Sequence, residues 1–345
     1  LEGPMFNDRW SFLVAGRGSY AHLILKLAGE ENSASFYDLN LKTNYNLNKN
    51  NRLYLSGYFG RDLFNFGGSF SSSYGNASGN LRWNHIFNDR LFSNLSLIFS
   101  NYDYELGIDF FDFDWVSSIQ NYNIKYDLKY YFSDAFKLDF GAGTIKYVFD
   151  PGRIKPTDPS SAINELQLDK KRALESAAYI NAEHKLTDRL TAQYGIRFSH
   201  FNRMGGQPLN EYLDDRPLVY NSTLRIYERQ DPINEVNYKK SESIETFSNL
   251  EPRVSLAYQL NELSSVKLGY SRAAQYIHLL SNTSSVTPID VWTPSGKYIE
   301  PQLSDQFALG YFRNFKDKVY SMEVETFYKT VDNRIDYIDG SDLIG

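Results

Sequence analysis

Between Tyr37 and Leu47 the chain alternates without a break. Tyr37, Leu39, Leu41, Thr43, Tyr45 and Leu47 fall on one side, and Asp38, Asn40, Lys42, Asn44 and Asn46 on the other. The same beat returns at Tyr122, Ile124, Tyr126, Leu128, Tyr130 and Phe132 against Asn123, Lys125, Asp127 and Lys129, and again from Leu190 to Phe198. A side-chain period of two specifies β-strand with one apolar and one polar face. The spacing predicts strands over 9–18, 35–47, 52–64, 74–87, 90–104, 117–132, 136–149, 174–186, 190–202, 248–260, 265–277, 303–315 and 319–331, with a further one opening near Ile335. Gly57, Gly60, Gly141, Gly143, Gly269 and Gly310 fall inside these strands, where a bend or a close approach of backbones is expected.

Short polar links join many of these strands: Asn48-Lys-Asn-Asn51, Asn88-Asp-Arg90, Ser133-Asp-Ala135, Thr187-Asp-Arg189, Asn261-Glu-Leu-Ser264 and Phe315-Lys-Asp-Lys318. Between them lie longer irregular stretches near 65–73, 105–116, 150–172, 203–247 and 278–302. In a sandwich the apolar faces meet in a dry core, whereas in a transmembrane barrel they face lipid and the polar faces line the lumen. A regular exchange of short and long connections favours the barrel, whose two rims differ in this way; Greek-key crossovers have no reason to keep such order. The fold expected is all-β, an antiparallel transmembrane β-barrel wall of about 13–14 strands forming one domain over residues 1–345.

Composition narrows the classes. Mean hydropathy is −0.48 and no apolar run approaches the roughly 20 residues of a spanning helix, but barrel strands need only about 9–11 residues with every second one apolar. The 27 tyrosines and 24 phenylalanines, against 4 tryptophans, suit interfacial girdles. A net charge of −6 leaves no basic footprint for nucleic acid, and zero cysteine removes disulfides and thiolate metal sites. The first residues, Leu1 to Trp10, carry no basic-then-apolar signal pattern, and the end lacks a closing aromatic strand. The sequence is therefore read as a stretch of a longer barrel.

The segments Trp10-Ser-Phe-Leu-Val-Ala-Gly-Arg-Gly-Ser-Tyr20, Phe36-Tyr-Asp-Leu-Asn-Leu-Lys42 and Asn51-Arg-Leu-Tyr-Leu-Ser-Gly-Tyr-Phe-Gly-Arg-Asp62 resemble barrel segments of TonB-dependent outer-membrane receptors, in particular the Bacteroidetes type. So do Leu268 to Asn282, Gln302 to Phe312 and Asp332-Asn-Arg-Ile-Asp-Tyr337, in the expected order. The resemblance implies a barrel of 22 strands, a plug domain and a TonB box, of which neither plug, signal peptide nor box is read in this chain. It further implies a Gram-negative outer-membrane location, contact with membrane lipid, energising by TonB and its inner-membrane complex, and active uptake of a scarce solute. An iron chelate such as a siderophore, a vitamin, a glycan or a peptide all remain open. Two alternatives stand beside it: a passive porin of about 14 strands, and a soluble all-β carbohydrate-binding or adhesion module.

No catalytic constellation is read. His22, His85, His184, His200 and His278 are scattered, none at helical metal-ligand spacing, and His278 is taken as a structural imidazole with ligand or plug contact as the sharper option. No enzyme activity and no cofactor are expected. Loop aromatics are the ligand-contact candidates: Phe111, Phe113 and Trp115 in an acidic segment, Tyr220 and Tyr227 in the largest loop, and Trp292 and Tyr298 beside two prolines that limit loop entropy. Asp109, Asp112 and Asp114 are weak calcium candidates, since three carboxylates supply hard oxygen ligands without an EF-hand's glycine turn. Lys42, Lys125, Asp127, Lys129, Arg197, Arg253, Glu323 and Glu325 are expected on the wet face.

Overall fold

The computed structural model describes residues 1–5, 9–67, 69–108, 112–158, 164–280, 291–315 and 319–335. Its frame is one antiparallel sheet in which sequence neighbours are spatial neighbours. The path runs β1 (Glu2–Met5), β2 (Trp10–Gly18), β3 (Ser33–Asn48), β4 (Asn51–Phe66), β5 (Phe70–Asn88), β6 (Leu91–Ile108), β7 (Phe113–Ser133) and β8 (Phe136–Pro156). The short β9 (Leu166–Gln167) then pairs beside β8, and the path continues with β10 (Lys171–Lys185) and β11 (Leu190–Met204). Four loop strands follow: β12 (Pro208–Glu211), β13 (Leu218–Asn221), β14 (Ile226–Arg229) and β15 (Asn234–Asn237). The wall resumes with β16 (Ser243–Asn261) and β17 (Ser264–Gln275), is interrupted by a hairpin of β18 (Ile277–Leu280) and β19 (Val291–Pro294), and finishes with β20 (Gln302–Phe315) and β21 (Tyr320–Asp332). All 13 wall strands read from the alternation are present, and β1 is an addition. The proposed strand opening near Ile335 falls almost wholly outside the described residues.

The register keeps the two faces apart. Along β11 the positions Leu190, Ala192, Tyr194, Ile196 and Phe198 share the apolar face with Tyr258, Leu256, Val254, Pro252 and Leu250 of β16, their direct partners. The eight steps from Leu190 to Phe198, at about 3.4 Å each, make an apolar run of about 27 Å along the strand, close to the band of a membrane barrel. This face stays uncovered: Ile124 is 53% exposed and Leu268 50%. On the opposite face Lys125 pairs with Asp127 at 3.1 Å, Lys129 with Asp139 at 3.2 Å, and Arg197 with Glu175 at 3.2 Å and Glu251 at 3.4 Å. Polar groups here reach across intervening strands. Gly141 stands between Asp127 and Tyr179 in register, and the Tyr179 hydroxyl crosses it to donate to Asp127, with the ring 3.1 Å from where a Cβ would stand.

One rim is built from a single repeated device. Asn48, Asn88, Ser133, Thr187 and Asn261 each accept, through a side-chain oxygen, the backbone N–H two residues on, at 2.9–3.3 Å. Such side chains mimic a backbone turn, which explains why these links stay short.

The other rim departs from the expectation in two places. The stretches 65–73 and 105–116 are mostly strand: β4 and β5 pair up to Phe66 and Phe70, and β6 and β7 up to Ile108 and Phe113. Beyond the apolar band an outward side chain has no need to be greasy, so alternation fades at Ser71-Ser-Ser73 while the ladder continues from the strand below. A seven-residue helix, α1 (Ala21–Leu27), also stands in the β2–β3 connection, where no periodicity predicted it.

Candidate ligand vestibule

Two of the long connections fold back onto the polar face at this rim, and each closes a small dry core there. After β8 the chain returns through β9, with Leu168 N–H donating to the Gly152 carbonyl at 3.0 Å. It covers a cluster of Tyr104, Leu106 and Trp115, joined by Phe70, Tyr74, Phe113 and Ile154. Trp115 is 5% exposed and lies across Gly152, where any Cβ would fall inside the indole. Trp115 and Phe113 are thus strand residues in a packed cluster, a correction to their reading as loop aromatics. The reason is the upward extension of β6 and β7. Phe111 and Asp109 lie outside the described residues. Asp112 is an exposed turn residue with φ of 51°, and Asp114 sits in β7. Among the described residues no three His, Asp or Glu side chains stand close enough to hold a metal ion.

The second inward fold is the β18–β19 hairpin. Tyr276, just before it, stacks on Phe201 with ring centroids 4.8 Å apart and 2° between planes, in a core with Tyr147, Phe149 and Ala173. The Tyr276 hydroxyl accepts from Asn249 Nδ2 at 2.9 Å and meets Ser199 Oγ at 2.7 Å, and Ser199 also donates to Glu251 at 2.7 Å. Arg197 lies between Glu251 and Glu175, and Tyr147 donates to Glu175 at 3.2 Å. A continuous polar chain therefore runs from the hairpin's root to the wet charges of the wall. His278 is buried within the hairpin, its Nε2 bonded to Ser295 Oγ at 2.8 Å, and burial lowers its pKa below the ordinary 6.5.

Trp292 lies on β19 of this hairpin and Tyr298 just beyond it. The Tyr298 hydroxyl donates to the Asn210 carbonyl at 2.8 Å, and its ring meets Tyr212 edge-on at 5.6 Å. Lys297 reaches Asp215 at 2.9 Å and Glu211 at 3.6 Å, and the bond to Asp215 raises its pKa. Trp292 remains 37% exposed. Tyr220 and Tyr227 are direct partners in the β13–β14 hairpin, rings 5.1 Å apart, each about half exposed. The candidates thus fall into three separate groups: a packed cluster at Trp115, a tied corner at Tyr298, and an exposed pair at Tyr220. Tyr276, Ser199, Glu175, Glu251, Lys171 and Arg203 were not singled out by sequence, although Glu175, Ser199, Arg203 and Glu251 share the wet-face parity of Arg197.

The family model described as TonB dependent receptor-like, beta-barrel matches residues 7–344. The chain belongs to that family. No curated protein matches it by sequence. Among solved structures, this receptor barrel is similar to the hemophore receptor HasR of Serratia marcescens, solved with its hemophore HasA and heme. The TM-score is 0.62 at 12% identity over 96% of this chain and 51% of that one. FauA, the alcaligin outer-membrane receptor of Bordetella pertussis, gives 0.65 at 13% identity over 99% and 50%. Fiu, a ferric-catecholate import receptor of E. coli K12, gives 0.62 at 12% over 99% and 56%. The chain spans about half the length of these structures. In a receptor barrel the apolar face is the outer wall and the charged face is the lumen, so both inward folds occupy the mouth of the lumen.

Docking of the β18–β19 hairpin in the receptor barrel should depend on pH through His278. Its folded pKa lies below its unfolded value, so the undocked hairpin binds the extra proton. Docking is then fully favourable above about pH 6.5 and weakens as pH falls below it. Amide exchange in β18 and β19 is expected to speed up between pH 7.5 and 5.5 relative to the wall strands, after correction for intrinsic rates. A His278→Phe protein should lose that difference; an unchanged ratio in the parent protein would refute the assignment.

Proposed function

We propose that this chain forms barrel wall and outer loops of a Gram-negative outer-membrane receptor, of the Bacteroidetes type, that takes up a scarce solute with energy delivered by TonB. The observation that carries the reading is the combination of a family-matched wall, apolar outside and charged inside, with two connections folded into its mouth. In a passive pore an inward loop narrows the passage and slows flow. A receptor gains from it, because folded loops preorganise a contact surface and lower the entropy lost on binding.

In the whole receptor, solute would meet the exposed aromatics Tyr220, Tyr227 and Trp292 and the corner at Tyr298. A plug would sit against the lumen charges around Arg197 and Arg253, and TonB would act through it. Differential affinity between plug states, coupled to external work, makes such uptake vectorial. The solved structures are of receptors for a hemophore with heme, alcaligin and a ferric catecholate, so a metal chelate is the first solute class to try. Vitamins, glycans and peptides are the next.

The test is uptake of labelled solutes by cells that lack or carry the full-length gene. Uptake should require the gene, should stop on deletion of TonB or collapse of the proton gradient, and should weaken in Trp292→Ala. Uptake that survives loss of TonB would point to a passive channel and refute the proposal.

A further inference from the structure

Two cations, Lys171 and Arg203, meet under the β18–β19 hairpin, Arg203 Cγ lying 3.4 Å from where a Cβ would stand on Gly296, and among the described residues neither has a carboxylate partner. Lys171 Nζ donates to Thr293 Oγ1 at 3.0 Å. Arg203, 5% exposed, donates to the carbonyls of Arg172 and Met204 at 2.8 Å and to Gln207 Oε1 at 2.9 Å. Arg172, on the opposite parity of β10, turns away to the carbonyls of Lys170 and Gly206, at 3.2 and 3.4 Å. Elsewhere on this face Lys125, Lys129, Lys137 and Arg197 each have a carboxylate within 4 Å, and Lys42, Arg82 and Lys267, which have none among the described residues, are exposed to water. The contrast matters, because a guanidinium keeps its proton at any working pH, and a buried charge left with neutral acceptors is costly.

A second, independent observation points to the same spot. His278 is the cross-strand partner of Thr293, so the two side chains leave the hairpin on one face, the face that Lys171 meets. Both residues are 1% exposed. His278 Nε2 is taken by Ser295 Oγ, while its Nδ1 has no partner among the described residues. An ammonium, a guanidinium, an imidazole nitrogen and two hydroxyls therefore come together in a buried place that holds no carboxylate among the described residues. Oxyanions are bound by such sets of charge-assisted donors.

We propose that this cluster is the seat of an oxyanion, a carboxylate or phosphate-type group, held between Lys171 and Arg203 beneath the hairpin. Thr293 and His278 complete its donors. Since the hairpin covers the seat, the anion enters with the hairpin lifted and is enclosed when it docks. Assigning that oxyanion to the imported solute rests on the receptor reading; the seat itself does not.

The probe is inorganic phosphate, titrated calorimetrically into the detergent-purified full-length receptor at constant ionic strength with chloride as the balancing anion. Saturable binding of one phosphate is expected, weakened about ten-fold or more by Lys171→Met and kept within about three-fold by Lys171→Arg. Without phosphate, Lys171→Met should have an unchanged or higher Tm, because it removes an uncompensated charge; this separates lost binding from lost fold. No phosphate binding beyond that of chloride, or equal binding in Lys171→Met, overturns the seat. In cells Lys171→Met is expected to lose solute uptake. Retained uptake with phosphate binding lost overturns the link to the solute, and parent uptake that does not need TonB overturns the receptor reading alone.

Discussion

Ile124→Arg is expected to cost about 2–4 kcal/mol of folding free energy in a bilayer, whereas Asn123→Arg, one residue away, should change it by less than about 1 kcal/mol. The two residues share a strand, a depth and a backbone environment, and differ in parity. Ile124 faces outward beside Leu97 and between Tyr122 and Tyr126 along β7, and is more than half exposed because nothing among the described residues covers it. Asn123 faces the lumen between Ile98 and Ile145, two residues from the Lys125–Asp127 pair. An arginine on the outer wall must sit in hydrocarbon or pull its head to the interface, while one in the lumen stays hydrated. Equilibrium unfolding of the full-length receptor in phospholipid vesicles measures both costs. Equal costs at 123 and 124 would reject the assignment of the two faces, and with it the membrane reading, since in a soluble sandwich Asn123→Arg and Ile124→Arg would each be judged by a protein core.

The wall was legible because a period of two is a local signal that each strand carries by itself. Tyr37 to Leu47 could be placed on β3 from eleven residues, and the short rim could be read from its Asn, Ser and Thr turn residues. Legibility stopped where the band stopped. Ser71 to Ser73 and Phe113 to Trp115 belong to strands that continue above the band, held by ladder pairing and, at Phe113 and Trp115, by an inward cluster; their outward positions answer to water, so the greasy outward beat of the wall does not mark them. The mouth was harder still. Lys171 and Thr293 lie 122 residues apart in sequence, and Ser199 and Tyr276 lie 77 apart. What brings them together is the inward fold of a connection, and a connection's direction leaves no periodic trace. Hence aromatic residues were named as loop candidates, while the polar groups beneath the hairpin were not, apart from His278, which was read as structural. Its burial agrees with that reading; its unpartnered nitrogen does not exhaust it.

The root of the hairpin is where a single substitution should do most to the mouth without touching the wall. Tyr276→Ala removes a 3%-exposed ring that stacks on Phe201, at a cost of about 3–5 kcal/mol if the core does not collapse around the gap. It also strands Asn249 Nδ2 and removes one partner of Ser199. Tyr276→Phe keeps the stack and loses the hydroxyl alone, for about 1–3 kcal/mol, the price of leaving a buried donor unmet. Because β16, β17 and β20 are paired through their own ladders, neither change should unfold the barrel. The expected result is local: β18 and β19 lose amide protection and become sensitive to protease, strongly in Tyr276→Ala and weakly in Tyr276→Phe, while β6 to β8 stay protected. The polar chain from Tyr276 through Ser199 and Glu251 to Arg197 makes a further demand. If the hairpin's position is reported to the lumen by that chain, Tyr276→Phe should alter solute affinity more than its small loss of protection accounts for. A proportionate change would mean that Tyr276 seats the hairpin and transmits nothing.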